Sequence, residues 1–340
     1  MSRLSIVIPV LGSLDGLEDT LVSVLENRPT DCQIVVVHNR PYDDPYDLKD
    51  EILFVQAPAD AGLAAALNLA VAVSRGDIVH VLRCGVEVSP GWVDTVLPLF
   101  DDPLVGAVTP LVLEKADAQR VVTAGVGYWP GGAVRHLGQG QLLVAAARAN
   151  EAPYGPDTLA GFYRRSALEA VGYFSDAVAD PLAALDLALA LRQAGFSCVL
   201  QPQCWTYVDR AATEMSPASA LGRGWAAEWF FWRWAPVAGW FRSLGCHAML
   251  LLGQCLQCVI RPRKILELAG RALAGFQVAS HREHWRALRR PALSASLPAA
   301  RPHFTVAAAD DYSTIANCAE SSAMSGACSS GPAAPRRLPG

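Results

Sequence analysis

The chain has 340 residues, 52% of them hydrophobic and 18% charged, and a formal net charge of −4. Such a length buries a sizeable core in one or two domains, and the apolar balance is that of a globular protein. The mild acidity lacks the basic footprint of phosphate-backbone binding, so nucleic acid is not an expected partner.

The nine cysteines are odd in number and scattered, as reduced thiols of a cytoplasmic protein would be and a disulfide framework would not. No basic segment with an apolar run behind it precedes Leu4, so no secretory signal is read here. Cys255-x-x-Cys258 has no second pair and His281-x-x-His284 has no third ligand, so neither is read as a metal site.

In chain order, Leu4 to Pro9 is a β-branched apolar run and reads as a buried strand. Leu14, Leu17, Leu21, Val24 and Leu25 then recur at helical spacing. Gln33 to Val37 predicts a second strand, ending in the polar loop His38-Asn39-Arg40-Pro41. Ile52 to Gln56 predicts a third, after which Asp60-Ala61-Gly62 opens an alanine-rich helix to Ser74. Asp77 to Leu82 reads as the next strand and Pro90 to Phe100 as the next helix. Strands alternating with helices imply an α/β fold: a twisted, mostly parallel sheet flanked by helices. Ligands of such sheets sit at the carboxyl ends of the strands, so the informative loops follow Pro9, Val37, Gln56 and Leu82.

From Val105 to about Val144 short β runs and repeated glycines suggest hairpins. Residues 158–173 read as a strand and a short helix. Asp180-Pro181 has the pattern of an N-cap followed by proline at N1, with Gly195 as the C-cap of the helix it opens. Phe196 to Pro202 is the last strand of this region. Residues 1–215 thus form one domain, 216–290 a helical, tryptophan-rich extension, and 291–340 an aperiodic Ala/Ser/Pro/Gly tail expected to be disordered. Trp225, Trp229, Trp232, Trp234 and Trp240 precede an apolar run, Leu244 to Ile260, closed by Arg261, Arg263 and Lys264. Two readings are open for the tryptophans: core packing against the sheet domain, or attachment through 225–264 to an acidic membrane surface, at the inner face of the cell membrane.

The ordered series SIVIPV, IVVVHN, DAGLAAALNLAVAVSRGDIVHVL, VEVSPGWVDTVLPLF and AGFYRRSALEAVGYFSDAVADPLAALDLALALRQAGFSCVLQP resembles the inverting glycosyltransferases of family 2, in particular their rhamnosyltransferase-like branch. The likeness spans about residues 4–210 and implies a GT-A type fold. It also implies transfer of a sugar from a nucleotide diphosphate donor to a glycan or lipid acceptor. On the same basis Val10, His38, Asn39, Asp60, Gly62, Asn68, Arg83 and Gly85 fall at nucleotide-sugar positions. For Asp60 the plain alternative is capping of the helix that follows.

The chain departs from the family pattern where the chemistry lies. The family's metal-binding carboxylate motif after the fourth strand reads Arg83-Cys84-Gly85 here. Its Glu-Asp pair, which carries the catalytic base, falls on Ala183 and Ala184, before Asp186-Leu187. Alanine takes no proton and glycine offers no oxygen to a metal. Asp186 is the one acid near the lost base and Glu87 the one near the lost metal ligand, so manganese or magnesium is expected only if Glu87 substitutes. Arg83 offers a different remedy, a guanidinium that binds phosphate directly, against the plain alternative of a solvated or salt-bridged side chain. These losses predict a catalytically impaired or inactive member; the alternative is a non-catalytic scaffold for a partner enzyme, a glycan or a membrane.

Overall fold

The structure is a computed structural model that describes residues 3–148, 151–209, 219–237, 239–262 and 264–288. The expected tail, the expected domain boundary near 215 and Arg263 lie outside the described residues.

β1 (Leu4–Val10) is buried along its whole length. It lies parallel between β2 (Cys32–His38) and β4 (Ile78–Leu82), and β3 (Ile52–Gln56) extends the sheet beyond β2. Period-two alternation assigns the two faces. Ile6, Ile8, Ile34, Val36, Ile78 and Leu82 join one core, with Leu17, Leu21 and Val24 of α1 (Leu17–Asn27). Val7, Val35, Val37, Val79 and Val81 join the other, with the alanine-rich face of α2 (Leu63–Val73). Burial on both faces is why these strands read as continuous apolar runs.

The sheet continues as β4-β10-β6-β11-β5, with β7 (Asp117–Thr123) pairing to β6 (Val105–Glu114). β10 (Ala160–Arg164) runs antiparallel to both β4 and β6, and β5 (Val86–Val88) antiparallel to β11 (Ser197–Val208). The sheet is therefore mixed, where the strand–helix rhythm predicted a mostly parallel one. A two-stranded ribbon, β8 (Val126–Trp129) with β9 (Ala133–His136), lies beside it.

Pro90 to Phe100 corrects a second expectation. It forms turns and a 3₁₀ segment, Leu97–Asp101, and no α-helix. Pro98 has no N–H to donate to the carbonyl four residues back, and the bonds that form instead include i→i−3 contacts such as Val96 N to Val93 O. Trp92, Val93, Val96 and Phe100 are buried all the same, because the apolar spacing serves either geometry.

α3 (Leu143–Ala147) packs on β7, and α4 (Arg165–Val171) leads to α5 (Asp180–Gln193). The cap assignment at α5 is corrected too: Ala179 is the N-cap, and Asp180 Oδ1 instead accepts from Leu63 N at the start of α2, 3.2 Å away. Gly195 does follow the helix, at φ +93°. Its N–H bonds to Arg192 O, and the Phe196 N–H to Leu191 O, closing a Schellman turn.

Four helices complete the described chain: α6 (Ala220–Trp234), α7 (Trp240–Ile260), α8 (Lys264–Gly275) and α9 (Arg282–Leu288). α6 and α8 cross at two glycines. A β-carbon on Gly224 would stand 1.9 Å from Glu267 O, and one on Gly270 2.0 Å from Leu221 O. Only glycine permits that approach.

His80, in β4, is wholly buried and stacks on Phe162 with ring centroids 3.8 Å apart. Burial pushes its pKa down to about 3, from 6.5 for the free ring. Unfolding releases the ring to bind a proton, so the neutral ring's contribution is present above pH 6.5 and lost as pH falls below it. His281 and His284, both lowered to about 4 chiefly by burial, act in the same direction. Denaturant unfolding at pH 5.5 is expected to give a stability lower than at pH 7.5, by about 1 kcal/mol from His80 alone. His80→Phe should flatten part of that slope; an unchanged slope would show that His80 does not carry it.

Candidate functional site at the carboxyl edge of the sheet

Because β1, β2 and β4 are parallel, Val10, His38 and Leu82 end at one edge, and the loops behind them converge. Val10 pairs in register with His38, and its carbonyl accepts from Asn39 N at 3.3 Å. Asn39 Oδ1 in turn accepts from Gly12 N at 3.0 Å, and Asn39 Nδ2 donates to Ala59 O at 3.4 Å. Asn39 thus ties together the loops after β1, β2 and β3. His38 is buried, and its Nδ1 donates to Arg40 O at 2.6 Å. The Gly85 N–H donates to Thr20 Oγ1 of α1 at 2.9 Å, and Gly85 takes φ +87°. A β-carbon at Gly16 would lie 2.8 Å from the Gly85 Cα, so the loops after β1 and β4 touch through two glycines.

The structure divides the other candidates. Asp60 and Gly62 line a cleft of about 320 Å³ with Asp176, Val178 and Asp180, whose lining does not include Arg83. α2 begins at Gly62, and the carboxylate that receives its first N–H, from Leu63, is that of Asp180 and not of Asp60. Asn68 is held away from any ligand: its amide donates to Phe174 O at 2.8 Å and accepts from Phe174 N at 2.9 Å, pinning the α4–α5 connection.

Asp186 is buried on α5. Its carboxylate accepts from Arg233 Nε at 2.7 Å, Arg233 Nη2 at 3.2 Å and Trp234 Nε1 at 2.7 Å, all from α6. Every one of these contacts joins two helices. Ala183 and Ala184 beside it are buried core.

Among the described residues no group of three or more His, Cys, Asp or Glu is placed to hold a metal ion. Glu87 forms an ion pair with Lys115, and the hydrogen bond to Glu87 raises the Lys115 pKa. That cation neutralises Glu87; Asp15, whose carbonyl accepts from Cys84 Sγ at 3.3 Å, also stands near Gly85. Cys84 is no substitute, since burial pushes its thiol up to about 11 and keeps it protonated. Among the described residues, the donors beside Gly85 do not fit a divalent ion. Arg83, half-buried directly after β4, makes no side-chain hydrogen bond or ion pair among the described residues.

One pair of functional groups at this edge has no signal in sequence spacing. β10 runs back along β4 with Ala160 opposite Leu82, and Arg83 N donates to Leu159 O at 2.8 Å. Asp157, just before β10, is buried; its Oδ1 accepts from Leu159 N at 3.1 Å and its Oδ2 from His136 Nδ1 at 2.8 Å. The two residues are 21 positions apart, and His136 stands in a glycine-rich ribbon that predicts only hairpins.

The tryptophans are divided as well. Trp234 is buried, Trp229 packs edge-on to His281 at 4.7 Å between ring centroids, and Trp232 Nε1 donates to Glu228 at 2.9 Å. They are interior to the helical layer. α7 is the reverse, with Phe241, Met249, Leu252, Leu256, Val259 and Ile260 exposed. Among the described residues it is the one helix long and apolar enough to cross a membrane by length and composition.

This sheet, curled and flanked by helices with its loops gathered at one carboxyl edge, has the fold of the GT-A glycosyltransferases. The model of the family "Glycosyl transferase family 2" matches residues 5–169, just under half of the chain. The mannosyltransferase PcManGT of Pyrobaculum calidifontis, solved with GDP-Man and Mn2+, aligns over 81% of this chain and 87% of its own at 17% identity and TM-score 0.50. GalNAc-T7, solved with UDP, GalNAc and Mn2+, aligns over 68% of this chain and 50% of its own at 13% identity and TM-score 0.50. An uncharacterized protein of Mycobacterium tuberculosis (strain CDC 1551 / Oshkosh) is 26% identical over 229 residues, 65% of this chain and 71% of that one.

The Asp186 contacts give a direct expectation. Asp186→Ala leaves the Arg233 guanidinium, 13% exposed, without its counter-charge. An uncompensated buried charge costs about 3–5 kcal/mol, and chemical denaturation should show a loss of that order. A change below about 0.5 kcal/mol, the ordinary surface range, would show that the pair does not fasten α5 to α6.

Proposed function

We propose that this chain is a glycosyltransferase family 2-type protein that holds a nucleotide diphosphate sugar at the carboxyl edge without a divalent metal, and that its metal-assisted transfer chemistry is lost. The acceptor class that goes with this reading is a glycan or a lipid. The observation that carries the proposal is Arg83: a guanidinium without an ion-pair partner among the described residues, immediately after β4 and two residues before Gly85, which falls where the family pattern puts a metal-binding carboxylate. A metal bridging a diphosphate neutralises charge that builds on the leaving group, and a guanidinium supplies positive charge and paired donors to the same oxygens. The Glu87–Lys115 pair adds a second reason why a metal is not recruited. Without the ion, turnover is expected at least about 100-fold below that of a carboxylate-bearing relative, since such an ion supplies several kcal/mol.

Calorimetric titration with uridine and guanosine diphosphate sugars tests this. Binding should be indifferent to added manganese, and Arg83→Ala should weaken it by about 10- to 100-fold, the range for charge-assisted hydrogen bonds. Tight, stoichiometric manganese binding, or donor affinity that depends on manganese, would sink the proposal.

A second part of the reading concerns location, at the inner face of the cell membrane. It is supported by the exposed side chains Met249, Leu252, Leu256 and Val259, which recur at helical spacing along one face of α7. Ser243 and His247, buried on the other face, hold the helix against the body through Ala235 O and Gly131 O. A helix fastened along its side favours lying in the interface over spanning it. Arg242 and Arg261 flank it for anionic headgroups. The protein should float with phosphatidylcholine–phosphatidylglycerol vesicles, less so in high salt. Serine at 252, 256 and 259 together should reduce vesicle binding at least about 10-fold. Unmodified protein that stays in solution with such vesicles would count against this location.

A further inference from the structure

We infer that the His136–Asp157 pair is the general base of this site, with His136 the catalytic residue that takes the acceptor's proton and Asp157 the residue that positions it. The inference rests on the donor-binding reading above and supplies what Ala183 and Ala184 cannot. Three observations lead to it.

The first is placement. Asp157 lies two residues before Leu159, whose carbonyl receives the Arg83 N–H, and Ala160 pairs with Leu82. The antiparallel return of β10 therefore carries Asp157 to the same carboxyl edge as Arg83 and Gly85. Val126 N donates to Gly155 O, and Val126 also pairs with His136 across the ribbon. The ribbon is thereby docked on the segment that holds Asp157.

The second is orientation. Asp157 is buried and its two oxygens have separate tasks: Oδ1 is held by Leu159 N, and Oδ2 receives the His136 Nδ1 proton. With Nδ1 donating, the neutral ring has its lone pair on Nε2. That atom has no hydrogen-bond partner among the described residues, and the side chain is 46% exposed. A buried carboxylate behind a histidine whose far nitrogen is open is the arrangement that fixes the tautomer and stabilises the cation formed on proton uptake. The hydrogen bond to Asp157 also raises the His136 pKa, which favours proton uptake. Arg135, next to it in the chain, pairs with Glu151.

The third is the chemistry that remains. His136 Nε2 accepts the proton of an acceptor hydroxyl as that oxygen forms a bond to the anomeric carbon. The bond from the anomeric carbon to the diphosphate oxygen breaks, and its electron pair leaves on the nucleoside diphosphate, next to Arg83. The proton passes from the imidazolium to water. The products are the inverted glycoside, or the free sugar when water is the acceptor, and the nucleoside diphosphate.

The test uses the full chain and a panel of uridine and guanosine diphosphate sugars. Donor binding is measured by calorimetry, and nucleoside diphosphate release is followed from pH 5 to 9 with water or free sugars as acceptor. His136→Gln keeps a polar side chain of similar reach and guards against misfolding of His136→Ala. Both variants should bind donor within about threefold of the unmodified protein and lose release by about 100-fold or more, the usual range for a general base. Release by the unmodified protein should fall on an acid limb that Asp157→Asn shifts to lower pH, a displacement that a purely structural aspartate would not cause. Release unchanged in both histidine variants overturns the inference, as does an unmodified protein that binds donor and releases no diphosphate at any pH. Absence of donor binding would instead refute the reading on which the inference stands.

Discussion

Everything at the candidate site depends on β1 being held parallel between β2 and β4. The pairing of Leu4–Val10 with β2 and of Leu4 to Val7 with β4 puts three carboxyl ends in one row, so residues 38, 39, 83 and 85 lie along one edge although they are distant in sequence. The row is fastened by small means: Asn39 joins three loops, and Gly16 and Gly85 let two of them touch. Buried valine and isoleucine on both faces leave the strands no freedom to slip, since a one-residue shift would turn every side chain to the wrong core.

The charged groups around this edge are of both signs: Arg83 follows β4, and Asp60, Asp176 and Asp180 line the neighbouring cleft. Arg83 has no ion-pair partner among the described residues, Glu87 is neutralised by Lys115, and Asp186 is committed to Arg233 and Trp234 of α6. Two of the carboxylates near the edge are occupied with structure: Asp180 receives the first N–H of α2, and Asp157 orders the turn into β10 while holding His136.

Buried charge joins three of the C-terminal helices beside their apolar packing. Glu228 on α6 accepts from His247 on α7 and Arg271 on α8. Burial by itself raises its pKa, yet the hydrogen bonds and charges of those partners hold it below the usual carboxylate range. Such a network specifies one arrangement of three helices, because a shift of any of them strands a charge. It also explains how α7 stays docked while most of its surface is apolar and exposed.

The order of strands, the faces of α1 and α2, and the loops that form the edge were legible in the sequence because period-two and period-3.6 burial leaves a direct mark on residue choice. That positions 85 and 184 carry no side-chain acid was legible directly: a residue either has an oxygen or lacks one. Tertiary structure alone decided the rest. The antiparallel insertion of β10 is a long-range pairing with no local pattern, so neither the mixed sheet nor the meeting of His136 with Asp157 could be read in advance. Pro98 outweighed an apolar spacing that fits both helix and 3₁₀ turn. The tryptophans and the run after them read alike in composition, yet α6 turns its rings inward against α8 and α9 while α7 faces outward. Which apolar face finds a partner is settled by packing between distant segments, and one-dimensional spacing does not encode it.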